Sequence, residues 1–322
     1  MPTESAKSKV RALYYSILQY QSENRARLDE LFEVMELPDP RSDTEEILSA
    51  VQVLFAPLGY YVSAEKITRC PQLQVVVSNT TGIAHIDAGA AAARNVRICA
   101  LHDQPEFLDR VTPTAEHTIG LMLAAWRKIP ASHRAASAGQ WDRRPWGAPA
   151  MMSRMRLGLV GYGRLGRKVG RVARAMDMHV DFYDPAVSAS RPTLLDLARH
   201  SDVLSIHATA TLENRGLVSR DVLEALPPGS IVVNTARGEL LDTGALLDLL
   251  ERGHLRAAAL DVIDGEYEPG FAARFGASRV AEYARTHDNL ILTPHIGGST
   301  VDAWRETERH VIDQAERAIS RP

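Results

Sequence analysis

Unbroken apolar runs alternate along the chain with segments of helical spacing. RALYYS (11–16), VQVLFA (51–56), LQVVVS (73–78) and VRICAL (96–101) read as strands. Between them, ENRARLDELFEVM (23–35), SAEKITRC (63–70) and IDAGAAAARN (86–95) read as helices. Runs such as VQVLFA carry no polar alternation. That is the pattern of strands covered by helices on both faces, as in a parallel sheet. PTAEHTIGLMLAAWRKI (113–129) reads as one long helix, apolar on nearly every side and therefore expected between layers. SAGQWDRRPWGAPAM (137–151) has the composition of a loop. A second alternating series follows. RLGLVGYG, HVDFYD, DVLSIHA, SIVVNTA, RAAALDVI and NLILTPH are its strands, with helices to about 177, near 193–200, at 219–226 and at 242–252 between them. The last segment, VDAWRETERHVIDQAERAIS, again has helical spacing. The expected fold class is α/β with doubly wound parallel sheets.

Composition narrows the picture. A chain of 322 residues can support two cores, and 45% hydrophobic with 24% charged residues is an ordinary globular balance. A net charge of −3 provides no field that favours nucleic acid or an anionic membrane, and neither is expected as a partner. Cys70 and Cys99 have neither metal-ligand spacing nor a disulfide framework, so no metal is expected and a reducing cytoplasm fits. MPTESAKSKV has no apolar signal core, and the apolar run TIGLMLAAW (118–126) is too short to cross a bilayer.

The second series opens on a glycine pattern. Gly161, Gly163 and Gly166 form G-x-G-x-x-G between a strand and a helix. The first glycine permits the tight turn, the second lets backbone approach a pyrophosphate, and the third lets the helix pack close to the strand. The helix then presents free N–H groups and its positive end to the phosphates. Asp184 ends the next strand, about 20 residues on, where a carboxylate accepts hydrogen bonds from ribose hydroxyls and repels a 2′-phosphate. No arginine follows Asp184 immediately, and Arg191 lies further along. NAD is therefore expected in preference to NADP.

Four further segments complete a resemblance. TTGIAHID (80–87), TAEHTIGLMLAAWRKI (114–129), NTARGELLDTGALLDLLERGHLRAAALDV (234–262) and NLILTPHIGGST (289–300) occur in this order around the glycine motif. Together they resemble the D-isomer-specific 2-hydroxyacid dehydrogenases, which include phosphoglycerate, glycerate, D-lactate and phosphite dehydrogenases. The resemblance implies two doubly wound, Rossmann-like domains, the cofactor domain inserted in the substrate domain. Residues 113–299 would bind NAD, and 1–112 with 300–322 would bind substrate. It also implies a homodimer whose embracing arm lies at WRKIPASHRAASAGQW (126–141).

The family's chemistry rests on an Arg, a Glu and a His, and the matching residues here are Arg237, Glu266 and His295. By this resemblance His295 gives a proton to the carbonyl oxygen in reduction and takes it back in oxidation, a task that suits imidazole. Glu266 would hold the far ring nitrogen, although Glu268 is also a candidate. The distance from Asp261 selects Glu266, and the family's usual Glu-Pro pair selects Glu268. Arg237 would bind the carboxylate of a small 2-oxo or 2-hydroxy acid with its rigid donor fork. Backbone N–H groups of Thr81 and Gly82 would complete that site. On the cofactor, Asp261 would meet the nicotinamide carboxamide and Thr114, Ala236 and Gly297 its ring. Arg164 and Leu165 would cover the pyrophosphate, and His207 and Ala208 would border the adenine side. Where the family usually has Pro-Leu after the SIH strand, this chain has HATATLEN (207–214), with Thr209 in place of the proline. The stretch FAARFGASRVAEYARTHDN (271–289) is long and could carry a short helix that caps the cleft or decorates the surface. The substrate side chain is expected to meet Tyr60, Tyr61, the TTG loop or Trp304, with Trp141 and the 143–146 stretch as possible contributions from a partner subunit. Two other readings belong to the same family resemblance: oxidation of an oxyanion such as phosphite, and an NAD-sensing scaffold like the C-terminal binding protein corepressors.

Overall fold

The computed structural model describes residues 9–320 apart from Ala84, within the TTGIAHID motif, and Pro269. The chain divides into two compact units, Met1–Val111 with Thr300–Pro322, and Thr112–Ser299. The N-terminal segment contains β1 (Val10–Tyr15), α1 (Ser22–Leu31), β2 (Phe32–Leu37), α2 (Glu45–Ala50), β3 (Val53–Phe55), α3 (Ala64–Arg69), β4 (Val75–Val77), α4 (Ala88–Ala93), β5 (Arg97–Cys99) and α5 (Pro105–Leu108). The middle unit opens with α6 (Pro113–Arg127), α7 (Ile129–Ser137), β6 (Arg156–Val160), α8 (Arg164–Ala175), β7 (His179–Tyr183), α9 (Leu194–Arg199) and β8 (Val203–Ile206). It continues with α10 (Arg220–Glu224), β9 (Ser230–Asn234), α11 (Thr243–Glu251), β10 (Leu255–Leu260), α12 (Phe271–Phe275), α13 (Arg279–Thr286) and β11 (Leu290–Leu292). The C-terminal helix, α14 (Val301–Ser320), returns to the first unit.

Both sheets are parallel throughout. The first runs β2-β1-β3-β4-β5 and the second β11-β10-β9-β8-β6-β7. Read from β7, the second repeats the order of the first with one strand added. In each sheet, successive residues of a strand enter opposite core layers. Leu157 and Leu159 join Met122, Trp126 and Val169 on one face, while Val160, Leu204 and Ile206 join Leu197, Leu246 and Leu250 on the other. In the first unit Val75 and Val77 pack towards α14 while Val76 packs with Leu48, Ile67 and Ala91. This double coverage is why the strand sequences carry no polar alternation.

Three expectations need correction. Residues 23–35 are not one helix: α1 stops at Leu31, and FEVMEL pairs with β1 as the edge strand β2. Leu28, Leu31, Phe32 and Met35 suit a helical face, but Phe32 and Val34 on one face with Met35 and Leu37 on the other equally suit a strand. The neighbouring strand decides between them. The long helix at 113–129 breaks at Lys128, which turns left-handed with φ 53° before Pro130 enters the first turn of α7. The 271–289 stretch holds two helices, and α13 is not a surface addition. It buries Val280, Ala281 and Tyr283 as part of the connection between β10 and β11.

One buried ion pair pins the first unit. Asp43 accepts a hydrogen bond from Tyr15 Oη at 2.6 Å and pairs with Lys66 Nζ at 2.7 Å, the two charged side chains being 9% and 11% exposed. Removing one partner strands the other charge in a poorly solvated place. Asp43→Ala is therefore expected to cost about 3–5 kcal/mol in urea unfolding, and Asp43→Leu with Lys66→Met to recover most of it.

Candidate active site

Strands β9, β10 and β11 lie side by side and run the same way, so their carboxyl ends share one edge. Arg237, Glu266 and His295 stand in the three loops that leave that edge. Neighbouring strands are about 4.8 Å apart, so the outer two loops start roughly 10 Å apart, a distance that long side chains bridge.

Each loop is held by specific bonds. Asn234, fully buried, donates from Nδ2 to the Arg237 carbonyl at 2.9 Å and accepts the Ala236 N–H on Oδ1 at 3.0 Å, which shapes the NTARG turn. Gly238 packs so tightly against Ile263 and Asp264 that any side chain there would overlap their backbone. That close approach sets the arginine loop beside the glutamate loop. The Arg237 guanidinium donates to the Ala236 carbonyl at 2.6 Å and pairs with no carboxylate among the described residues. Gly265, at φ 76°, turns the chain after β10 and brings Glu266 round.

The histidine loop is organised by Asp261, which is 2% exposed. Its Oδ1 accepts Thr293 Oγ1 at 2.5 Å and the Ile296 N–H at 3.0 Å, and its Oδ2 accepts the Gly297 N–H at 2.8 Å. His117 on α6 reaches the same place, its Nε2 3.0 Å from Thr293 Oγ1 and 3.3 Å from Asp261 Oδ1. Asp261, expected at the nicotinamide, is thus first the anchor of the PHIGG loop, and a cofactor bond would be additional. Within this loop His295 takes a left-handed backbone, φ 53°. That conformation is uncommon for a non-glycine residue and persists where surrounding contacts hold it.

His295 Nδ1 lies 2.8 Å from Glu266 Oε1, with the two side chains 31% and 13% exposed. Glu268 instead pairs with Arg274 at 3.0 Å on the surface. An ionised carboxylate only accepts, so it selects the ring form with the proton on Nδ1 and leaves Nε2 for other chemistry. Tyr267 Oη also approaches Nδ1, at 3.1 Å.

The glycine loop sits at the other end of the same sheet edge, where β6 is flanked by β7 and β8 and the strand order reverses. In open α/β sheets ligands bind at such a reversal. Gly161, at φ 91°, lies so close to the next loop that a Cβ would be 2.6 Å from the Ala208 nitrogen. Gly166 faces the Gly161 carbonyl just as tightly. Gly163 differs, because a Cβ there would meet nothing within 4 Å. It caps α8, whose first residues are Arg164 and Leu165. A tight turn, an open approach and the start of a 12-residue helix together suit a pyrophosphate. Asp184 accepts the Tyr162 N–H at 2.8 Å and the Ala186 N–H at 3.0 Å, so its carboxylate borders the glycine loop. Arg191 is drawn to Asp181 at 2.5 Å and Asp196 at 3.4 Å. His207 contacts Ser205 Oγ through Nε2 at 2.8 Å, and its Nδ1 is buried without a partner among the described residues. Burial pushes this imidazole down to about 4, so it is neutral at neutral pH. In the 207–214 loop, Asn214 accepts the Thr211 N–H at 2.7 Å and donates to the Thr209 carbonyl at 2.7 Å, which closes a turn.

Thr114, at the start of α6, lies against Gly297. Thr81 and Gly82 belong to the first unit, in the loop after β4. There Thr80 Oγ1 donates to the Gly82 carbonyl at 2.7 Å, and Ser78 Oγ lies 3.0 Å from His85 Nε2. Of the proposed substrate contacts, Tyr61, Trp141 and Trp304 are exposed. Sequence reading missed Asn234, Gly238, His117 and Tyr267. The NTARG and LDV segments contained a signal for the first two. His117 and Tyr267 carried none, since only the fold brings them to the histidine loop.

Comparison with known proteins now adds to the geometry. Residues 119–297 match the family model described as the D-isomer specific 2-hydroxyacid dehydrogenase, NAD binding domain. The chain belongs to this family. It is 32% identical over 289 residues to a D-3-phosphoglycerate dehydrogenase of Mycobacterium tuberculosis, across 86% of this chain and 52% of that enzyme. It therefore spans about half the length of the curated relatives it matches. A solved Thermus thermophilus protein superposes with a TM-score of 0.83 at 28% identity, covering 97% of both chains. A 2-hydroxyacid dehydrogenase of Ketogulonicigenium vulgare superposes with a TM-score of 0.79 at 26% identity, covering 98% of this chain and 96% of that one. The second unit thus contains the family's NAD-binding domain. No helix among the described residues is long and apolar enough to cross a membrane.

Proposed function

We propose that this family member interconverts a 2-oxo acid and a D-2-hydroxy acid with NAD. The observation that carries the reading is the His295–Glu266 contact at 2.8 Å, on the same sheet edge as Arg237 and the glycine loop. Bound NAD supplies or accepts the hydride. The chain's own residues do the rest. Glu266 holds Nδ1, so Nε2 of His295 faces outward to give its proton to the carbonyl oxygen in reduction and to remove it in oxidation. The imidazolium that this requires is balanced by the Glu266 charge. Arg237, unclaimed by any carboxylate among the described residues, binds the substrate carboxylate and polarises the carbonyl.

For the cofactor, Gly161, Gly163, Arg164, Leu165 and Gly166 form the pyrophosphate site, with His207 and Ala208 on the adenine side. Thr114, Ala236, Asp261 and Gly297 surround the nicotinamide end. Residues 113–299 serve as the NAD domain and 1–112 with 300–322 as the substrate domain, in a cytoplasmic homodimer. Asp184 makes NAD the favoured cofactor, because its carboxylate repels a 2′-phosphate and Arg191 is occupied by Asp181 and Asp196. Asp184→Ser is expected to narrow the NADH over NADPH preference in kcat/KM by about 10- to 100-fold, the worth of a hydrogen bond to a charged group.

The test is oxidation of NADH and NADPH with glyoxylate, hydroxypyruvate, pyruvate, a branched 2-oxo acid, oxaloacetate, phosphonopyruvate and 2-oxoglutarate, with phosphite plus NAD in the reverse direction. Turnover of a 2-oxo acid with NADH to the D product supports the reading. Turnover of phosphite alone replaces it with oxyanion oxidation. Tight NADH binding without turnover of any of them replaces it with a sensing scaffold.

A further inference from the structure

Tyr267 belongs to no part of the scheme above, yet its hydroxyl is 3.1 Å from His295 Nδ1 and its ring centroid 5.8 Å from the imidazole, inclined at 51°. The next residue in the chain after Glu266, it reaches the same nitrogen as Glu266 does. We propose that Tyr267 is a positioning residue for His295, its hydroxyl sharing Nδ1 with the Glu266 carboxylate so that the imidazole is held in one plane rather than pivoting on a single bond.

One acceptor on Nδ1 fixes the distance of the ring but leaves rotation about the Cβ–Cγ bond loosely restrained, because terminal torsions of this type are broad. A second oxygen at 3.1 Å on the same nitrogen narrows that rotation. The need for it follows from the backbone: His295 is in the left-handed region, φ 53°, and such a conformation relies on surrounding contacts. Asp261 holds the loop's N–H groups, but among the described residues only Glu266 and Tyr267 bond the ring itself. The hydroxyl also complements the carboxylate chemically. Glu266 can only accept, whereas a phenol can accept from Nδ1–H or donate to a bare Nδ1, so it keeps contact in either ring tautomer. The side chain is 43% exposed, yet partial desolvation of the hydroxyl and then the nearby Glu266 charge push the phenol up to about 12 against the opposing Arg237, with Glu239 and Asp261 adding smaller upward pushes. The O–H therefore keeps its proton across the working range.

The experiment uses Tyr267→Phe, which keeps the ring and removes one oxygen. The chain is labelled with ¹⁵N-histidine and studied without cofactor. His295 is identified among the 11 histidines by the resonance missing from His295→Asn. In Tyr267→Phe the His295 Nδ1 resonance is expected to move and broaden as the ring gains a second orientation, while the other histidines stay in place. In steady-state kinetics kcat is expected to fall about 2- to 10-fold, the worth of one neutral hydrogen bond, with KM for the 2-oxo acid unchanged within error. An unchanged His295 spectrum overturns the proposal whatever the activity, and so does an unchanged kcat in an active enzyme. A loss confined to KM also overturns it, because it would make Tyr267 a substrate contact. The kinetic part rests on the dehydrogenase reading, but the spectroscopic part does not. If the unsubstituted chain turns over no substrate, that counts against the dehydrogenase reading, and the spectrum alone decides the role of Tyr267.

Discussion

His295→Asn will lower kcat by roughly 10²- to 10⁴-fold and leave the NADH dissociation constant within about twofold, as general acid–base catalysis of this kind is worth. Asn keeps a polar side chain of similar reach, so Asp261 can still hold the loop through its N–H groups, which are main-chain donors independent of the side chain at 295. The glycine loop that would bind the dinucleotide is at the far side of the sheet edge, after β6. Binding and chemistry should therefore separate. Fluorescence titration with NADH beside single-turnover reduction of the preferred 2-oxo acid measures both. If NADH binding were lost in a variant that still unfolds with the original midpoint, His295 would be a cofactor-loop residue and not the proton carrier.

Arg237→Ala will lower kcat/KM for the 2-oxo acid on the order of 10²- to 10³-fold, which corresponds to about 3–4 kcal/mol, as expected for one member of a desolvated charge pair. Stability should not change with it. The one hydrogen bond of its side chain among the described residues goes to the adjacent Ala236 carbonyl, so no partner charge is left stranded when it is removed. Arg237→Lys restores the charge without the planar fork, and it should recover only part of the loss because a point charge cannot hold a carboxylate bidentately. The check is kcat/KM for both variants alongside thermal melting. A variant with full activity, or one that melts early in step with its loss of activity, would remove Arg237 from the substrate site.

How much of this was legible beforehand depended on how local each feature is. The strands at 51–56, 73–78 and the central ones of the second series, such as β8 and β9, could be read because a strand covered on both faces is largely apolar, whatever its neighbours. The G-x-G-x-x-G turn was legible for a similar reason. Left-handed backbone and close approach at Gly161 are demands on a single residue that only glycine meets. The ordered NTARG, LDV and PHIGG segments pointed to Arg237, Asp261 and His295 as candidates because each sits close to the strand end that carries it.

What escaped the sequence was whatever two patterns described equally well or whatever distant residues decided together. FEVMEL suits a helix or a strand, and its pairing with β1 chose the strand. LDVIDGEYEP offered two glutamates, and the turn at Gly265 delivered Glu266 to His295 while Glu268 went to Arg274. That Asp261 also anchors the histidine loop could not be read, because it depends on β10 and β11 being neighbours and on β11 ending beside its carboxylate. His117 and Tyr267 had no signature at all. Local composition determined the layers, the parallel sheets and the chemistry available at each strand end, since burial and backbone conformation act residue by residue. Which of those groups meet was decided by strand order and turn geometry, since a hydrogen bond such as that between Glu266 and His295 depends on two separate segments arriving within 2.8 Å.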